Sequence, residues 1–255
     1  MLTAADTPTP SVIIVIPAYK AEATIDKVVR GAKRHGLPVL VIDDGSDDRT
    51  GQLAEQAGAT VLRHAGNRGK GAALQTGFAY ALERGADAVL TLDADGQHDT
   101  DEIPKLLAVA RAAPGSLVIG VRSFDPQLMP RRSRIGNQIS TFFISRFAHR
   151  RHSDTQSGFR LYPRRLLTAP LTTRRFDTET ELLLWAAKLG VPLREVPIQT
   201  LYPSSSSGER HTTHFRNWED TLRVLCLVVG SPLWRAPRAD LPRTDSAPPS
   251  SEVTT

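Results

Sequence analysis

The residues best able to do chemistry lie in Leu92-Asp93-Ala94-Asp95-Gly96-Gln97-His98. Two carboxylates stand one residue apart, and a glycine and two polar side chains follow. Hard divalent cations such as Mg²⁺ take oxygen ligands, usually one or two carboxylates together with substrate phosphates. An Asp-x-Asp pair on a bent backbone can supply those carboxylates. The same residues also make an ordinary polar turn, because Asp and Gly are common turn formers. Residues 88–92 are an apolar run that reads as a buried strand. In open α/β sheets ligands bind where such strands end.

Three other stretches have the same form. Residues 11–16 are a β-branched run, expected to be a buried strand stopped by Pro17, with a loop over 17–20. Residues 39–42 form a second strand that runs into Asp43-Asp44-Gly45-Ser46-Asp47-Asp48. Asp44 there can accept from a nucleobase N–H or a ribose hydroxyl, or serve as an Asx-turn residue. A third strand over 59–62 precedes Gly66-Asn67-Arg68-Gly69-Lys70-Gly71 and a helix over 72–83. Lys70 is followed by Gly71, not by the Ser or Thr of a P-loop. The Rossmann glycines should follow the first strand, where Pro17 and Tyr19 stand instead. ATP hydrolysis and dinucleotide oxidoreduction therefore lose ground. Arg68 and Lys70 at a helix start still suit a phosphate, although a tight structural turn reads equally well. Four loops at C-terminal strand ends predict one shared crevice.

The elements that must position these loops follow from periodicity. Helices are expected over 21–33, 50–57 and 99–112, with a fifth strand over 117–121. That alternation predicts a parallel, doubly wound sheet. Beyond it, residues 131–149 read as an amphipathic helix with a basic face, suited to packing on the sheet or lying on a membrane surface. A short strand over 157–162, a helix over 176–189, an extended segment over 191–201, a polar loop over 204–214 and a helix over 218–229 complete the pattern. The expected organisation is a flexible leader (1–10), one folded domain (11–230) and a disordered Pro/Ser/Thr-rich tail (231–255).

Composition bounds the reading. At 255 residues the chain can bury a core of its own, and its lone Cys226 excludes an intrachain disulfide and a cysteine-based zinc cluster. Neither a secretory signal nor an apolar run of the ~18 residues that span a bilayer is visible. The net charge of +5 is uneven: residues 122–175 hold twelve arginines, no lysine and only Asp125 and Asp154, so that block carries +10 and the remainder −5. Such a block points to a phosphate-bearing or membrane-surface partner, or to a solvated arginine-rich face. Nucleic acid is not the expected partner. The acidic crevice would repel its backbone, and aromatic residues are not interleaved with the arginines as stacking platforms.

Val-Ile-Pro-Ala-Tyr (15–19), Val-Ile-Asp-Asp-Gly-Ser-Asp-Asp (41–48), Asn-Arg-Gly-Lys-Gly-Ala-Ala (67–73) and Leu-Asp-Ala-Asp-Gly-Gln-His (92–98) stand in the order and spacing of family 2 glycosyltransferases of GT-A fold. Gly120-Val-Arg122, Asp154-Thr-Gln-Ser-Gly-Phe-Arg160, Glu179-Thr-Glu181 and Glu195-Val-Pro-Ile198 extend the likeness toward the polyprenyl-phosphate mannose/glucose synthases. The resemblance implies a Rossmann-like, mostly parallel α/β sheet with helices on both faces. It implies a nucleotide pocket at Pro17, Tyr19 and Asp44, with Asp93 touching the nucleotide sugar; Lys70, from its place at the helix start, is expected on the donor. Asp95 and Gln97 would hold Mg²⁺ or Mn²⁺ on the diphosphate. Arg122 would meet the acceptor phosphate, with Arg131 or Arg132 beside it. The family usually reads Pro-Ala-Tyr-Asn-Glu, whereas this chain has Lys20 and Ala21, with Glu22 one place late.

The expected activity is metal-dependent, inverting transfer of a sugar from a nucleoside-diphosphate sugar to a lipid acceptor such as a polyprenyl phosphate. A phosphate acceptor is already anionic and needs cations, which the arginine block supplies. A hydroxyl acceptor would need a general base, for which Glu179 and Glu181 are the candidates. His211 and His214 could belong to a lid. A catalytically silent nucleotide-sugar binding module is the rival reading. The expected location is the cytoplasm, with peripheral contact at the membrane face left open.

Overall fold

The computed structural model describes residues 11–122, 157–175 and 177–199. The expected leader, the helices expected over 131–149 and 218–229, the loop expected over 204–214, the expected tail, Arg131 and Arg132 fall outside the described residues. In chain order the elements are β1 (Val12–Ala18), α1 (Ile25–Lys33), β2 (Val39–Asp43), α2 (Thr50–Gln56), β3 (Thr60–Arg63), α3 (Lys70–Glu83), β4 (Ala88–Thr91), a 3₁₀ turn (Thr100–Glu102), α4 (Ile103–Ala112), β5 (Leu117–Arg122), β6 (Arg160–Pro163), α5 (Arg164–Leu167), α6 (Thr178–Lys188) and β7 (Leu193–Ile198).

β1 explains the architecture. All seven of its residues are buried. Val12, Ile14 and Ile16 pack in one core with Ile25, Val28 and Val29 of α1 and with Ile103 and Leu106 of α4. Ile13 and Val15 pack in a second core with Leu74 and Phe78 of α3 and with Leu182 and Trp185 of α6. A strand covered on both faces must be apolar at every position, which is why the run is continuous rather than alternating. Each Val or Ile so buried contributes about 1.5–3 kcal/mol.

The sheet has seven strands in the order β3-β2-β1-β4-β6-β5-β7. Every pairing is parallel except those of β6, which runs antiparallel between β4 and β5. The mostly parallel sheet with helices on both faces thus forms as expected, but the fully parallel pattern suggested by the alternation is broken by β6. This reversal matters for the site. Because β6 is antiparallel, it begins where β4 ends, and Arg160 pairs with Thr91. Residues 157–160 are thereby delivered to the end of β4 that carries Asp93.

Among the element boundaries that differ from expectation, three bear on the crevice. β1 does not stop at Pro17 but continues to Ala18, pairing Pro17 with Ile42 and Ala18 with Asp43. Ile14 N–H donates to the Pro38 carbonyl on the β2 side, so even-numbered residues face β2. The missing donor of Pro17 faces the β4 side instead, and there pairing ends at Val15 with Thr91. Proline therefore costs no ladder bond. Residues 21–24 form a turn ahead of α1, with Thr24 N–H and Ile25 N–H both donating to the Ala21 carbonyl. α3 begins at Lys70, two residues before the expected start.

Candidate active site

The loops after β1, β2, β3 and β4 are tied to one another by hydrogen bonds. Lys20 N–H donates to Ser46 Oγ at 3.0 Å, and Ala21 N–H to Thr50 Oγ1 at 2.8 Å. Thr24 Oγ1 donates to the Ala94 carbonyl at 2.6 Å, joining the first loop to the fourth. Asp44 accepts the Arg68 N–H at 3.0 Å and the Gly69 N–H at 2.7 Å, joining the second to the third. Asp44 is therefore buried and committed to shaping the approach to α3. Pro17 is buried within β1, while Tyr19 is exposed beside it.

The departure at Lys20 has a structural counterpart. Its φ is +51°, in the left-handed region that asparagine tolerates better than lysine. Its backbone bond to Ser46 and an ion pair from Nζ to Asp47 at 3.0 Å hold it there. Glu22 accepts the Arg49 N–H at 3.3 Å and pairs with Arg49 Nε at 3.5 Å, so its carboxylate is engaged at the start of α2.

The centre of the crevice is a chain of alternating charges. Lys70 Nζ lies 2.6 Å from Asp93 Oδ1 and 3.0 Å from Glu179 Oε1. His98 Nε2 lies 3.5 Å from Asp93 Oδ2, and its ring packs 5.5 Å from that of Phe159. Lys70 and Glu179 meet because the starts of α3 and α6 abut: Ala72 N–H donates to the Arg174 carbonyl at 3.1 Å. Burial pushes the Lys70 ammonium toward neutrality, but Asp93 and Glu179 outweigh it and hold its pKa above the ordinary value. Burial likewise pushes Asp93 up, and Lys70 and His98 more than reverse this, so Asp93 stays ionised.

Asp95 is the opposite case. It is exposed, accepts the Gln97 N–H at 3.0 Å, and has no cationic partner among the described residues. Burial of part of its carboxylate, and then the charge on Asp93, raise its pKa. Gly96 makes the bend with φ +73°, turning the chain so that Gln97 follows Asp95 around the turn. One unneutralised carboxylate with an amide side chain two residues on is a fitting partial shell for Mg²⁺ or Mn²⁺, which keep open positions for substrate phosphates and water. No cage of three or more His, Cys, Asp or Glu side chains occurs among the described residues.

The other expected site residues separate. Glu179 belongs to the centre. Glu181 does not: it is fully buried and accepts from the N–H and hydroxyl groups of both Thr172 and Thr173 at 2.6–3.1 Å. Arg122 ends β5, in register with Ile198 of β7.

Sequence reasoning left four contributors without a role: His64, His98, Gly158 and Arg160. A Cβ on Gly158 would stand 2.6 Å from Asp93 Cγ, so only glycine lets this turn close against that carboxylate. Arg160, fully buried, donates to the Ser157 carbonyl at 2.7 Å and the Glu179 carbonyl at 3.0 Å, fastening the turn to α6. The Ser-Gly-Phe-Arg motif was a signal for these two. His98 closed a named motif but was given no role, and His64 had no signal at all.

The sequence model of the family described as Glycosyl transferase family 2 matches residues 13–169. The UDP-N-acetylglucosamine–dolichyl-phosphate N-acetylglucosaminyltransferase of Methanococcus voltae is 30% identical over 246 residues, covering 87% of this chain and 98% of that one. The polyprenol monophosphomannose synthase of Mycolicibacterium smegmatis is 30% identical over 211 residues, covering 75% of this chain and 77% of that one. Among solved structures, glucosyl-3-phosphoglycerate synthase from Mycobacterium tuberculosis, in complex with Mn²⁺, UDP and glucosyl-3-phosphoglycerate, superposes with a TM-score of 0.68 at 20% identity, covering 87% of this chain and 80% of that one. That likeness shows the fold, the Rossmann-like sheet expected of the GT-A class.

Proposed function

Because the chain belongs to glycosyl transferase family 2, and so is a glycosyltransferase, we propose that it transfers a sugar from a nucleoside-diphosphate sugar to a lipid phosphate of the polyprenyl type, with a divalent cation on the diphosphate. The observation that carries this reading is the inequality of the two crevice carboxylates. Asp93 is paired with Lys70 at 2.6 Å, whereas Asp95 makes no ion pair among the described residues. Asp95 and Gln97 would hold Mg²⁺ or Mn²⁺, which stabilises the negative charge developing on the departing diphosphate.

The other roles follow from position. Pro17 and Tyr19 border the nucleotide, and Asp44 shapes the loop beneath it. Asp93 and Lys70 face the donor. Arg122, at the C-terminal end of β5, is assigned to the acceptor phosphate. An acceptor oxygen attacks the anomeric carbon as the bond to the diphosphate oxygen breaks, and the electron pair leaves with the nucleoside diphosphate. Inversion follows from a single displacement.

The acceptor is read as a phosphate because the candidate bases are occupied. Glu181 is spent on Thr172 and Thr173, and Glu179 would first have to give up Lys70 to take a proton from a hydroxyl. A lipid phosphate needs no base. The two relatives named for dolichyl phosphate and polyprenol support the same class. No helix among the described residues is long and apolar enough to cross a membrane. We assign work on a lipid to peripheral contact at the cytoplasmic face through the arginine-rich block.

The test offers UDP- and GDP-sugars with a polyprenyl phosphate in detergent, with Mn²⁺ or with EDTA. Mass spectrometry should find a glycosylated lipid phosphate only with the cation. Transfer to simple hydroxyl acceptors alone, or product unaffected by EDTA, would overturn the reading. A thermal-shift screen of the same donors identifies the sugar nucleotide, since a ligand of the native state raises the melting temperature.

A further inference from the structure

His64 follows β3 and is buried, its side chain 7% exposed. Its ring makes two polar contacts. Nδ1 lies 2.6 Å from Asp44 Oδ1, and Nε2 lies 3.0 Å from Thr76 Oγ1 on α3. An ionised carboxylate can only accept, so Nδ1 carries the proton in this contact. The Asp44 carboxylate is only 4% exposed and also receives the Arg68 and Gly69 N–H groups at 3.0 and 2.7 Å. The imidazole thus ties three pieces together: the end of β2, the loop before α3 and the body of α3.

We propose that His64 is a positioning residue for donor binding. Through Nδ1–H it orients Asp44, and Asp44 fixes the backbone of residues 68–69, from which Lys70 reaches Asp93 and Glu179. This rests on the donor-binding reading above and extends it to a residue that touches no part of the crevice centre. A buried carboxylate receiving three hydrogen bonds has one orientation; with the imidazole gone it can rotate, and the two loop amides lose their shared acceptor.

The two ring nitrogens can be tested separately. Asparagine places an amide N–H on Cγ, where Nδ1 stands, and glutamine places it one atom further, near Nε2. His64→Asn therefore keeps a donor for Asp44, and His64→Gln keeps only a polar group at Nε2, within reach of Thr76. His64→Ala and His64→Gln should raise the donor KM about tenfold with kcat within about twofold, the loss of one charge-assisted hydrogen bond, while His64→Asn stays near wild type. Hydrogen exchange at the Arg68 and Gly69 amides should quicken in the alanine and glutamine variants and not in the asparagine one. Melting temperature is recorded for all three. If KM follows melting temperature regardless of which nitrogen is replaced, His64 is only a packing residue and the proposal falls. It also falls if exchange at 68–69 is unchanged in every variant. If the wild type takes no nucleoside-diphosphate sugar, the functional reading fails instead, and exchange at those amides still decides whether His64 holds the loop.

Discussion

The loops after β2 and β4 begin alike and end differently. Each carries aspartates just past a buried parallel strand, and each bends at a glycine. After β2, the Asp44 carboxylate receives His64 and two backbone amides and is closed to solvent. After β4, Asp93 is paired with Lys70, but Asp95 is exposed beside it with no ion pair among the described residues. A carboxylate whose hydrogen bonds are all internal builds a loop; one left with surplus charge in a crevice attracts a ligand. Glu181 and Glu179 repeat the contrast on α6, one wholly spent on Thr172 and Thr173 and the other sharing Lys70 with Asp93.

The sharpest way to break this contrast is Asp95→Ala. It should lower kcat/KM by about 10²–10³-fold, the scale of removing one group that stabilises transition-state charge. Calorimetry should show loss of the Mn²⁺-dependent part of donor binding. Because Asp95 is exposed, the urea midpoint should stay put, and a fall in stability of equal weight would mean that Asp95 is a structural residue like Asp44.

Gly158→Ala tests the geometry on the Asp93 side. The added Cβ would force Asp93 off Lys70, and a displacement of about 1 Å can cost up to about 10²-fold in rate. Steady-state kinetics should show a fall in kcat; unchanged kinetics would mean that Asp93 has room to move.

Glu181→Gln should instead act on folding. Replacing this fully buried, acceptor-only group with an amide takes an acceptor from the N–H and hydroxyl donors of Thr172 and Thr173, costing about 1–3 kcal/mol in urea denaturation. Activity per folded molecule should be retained. The reverse outcome, full stability with lost kcat, would make Glu181 a base after all.

The smallest effect concerns Asp48, beside the same β2 loop. Burial tends to raise its pKa, but the Thr50 hydroxyl and N–H, at 2.5 and 3.0 Å, hold it below the ordinary 3.8. A depressed native-state pKa contributes stability that is complete above the unfolded value and is lost as pH falls through the folded one. Asp48→Asn should therefore flatten the stability curve below about pH 4 and change its slope little at neutral pH, as measured by denaturation across pH.

Much of this was legible in the chain itself. The run over 12–16 read as a buried strand because it is β-branched and apolar at every position, and the structure covers it on both faces. The acidic and glycine-rich stretches after successive strands had to fall at one edge of the sheet, since parallel strands share a direction. Asp93, Asp95, Lys70 and Glu179 were all named from sequence. Pro17 misled because a proline stops a strand only when its missing N–H faces a partner, and that depends on which neighbour has already ended.

What sequence determined was which groups lie at that edge; what tertiary structure decided was which of them are left unsatisfied. The reversed direction of β6 brings Gly158 against Asp93 and lets Arg160 clasp Glu179, a fact of pairing that periodicity does not encode. The division between Asp44 and Asp95, or between Glu181 and Glu179, likewise rests on partners distant in the chain. A carboxylate's chemistry is set by its local field and its hydrogen-bond donors. Here those donors come from β3, α3 and the segments flanking α6, so they meet only once the chain has folded.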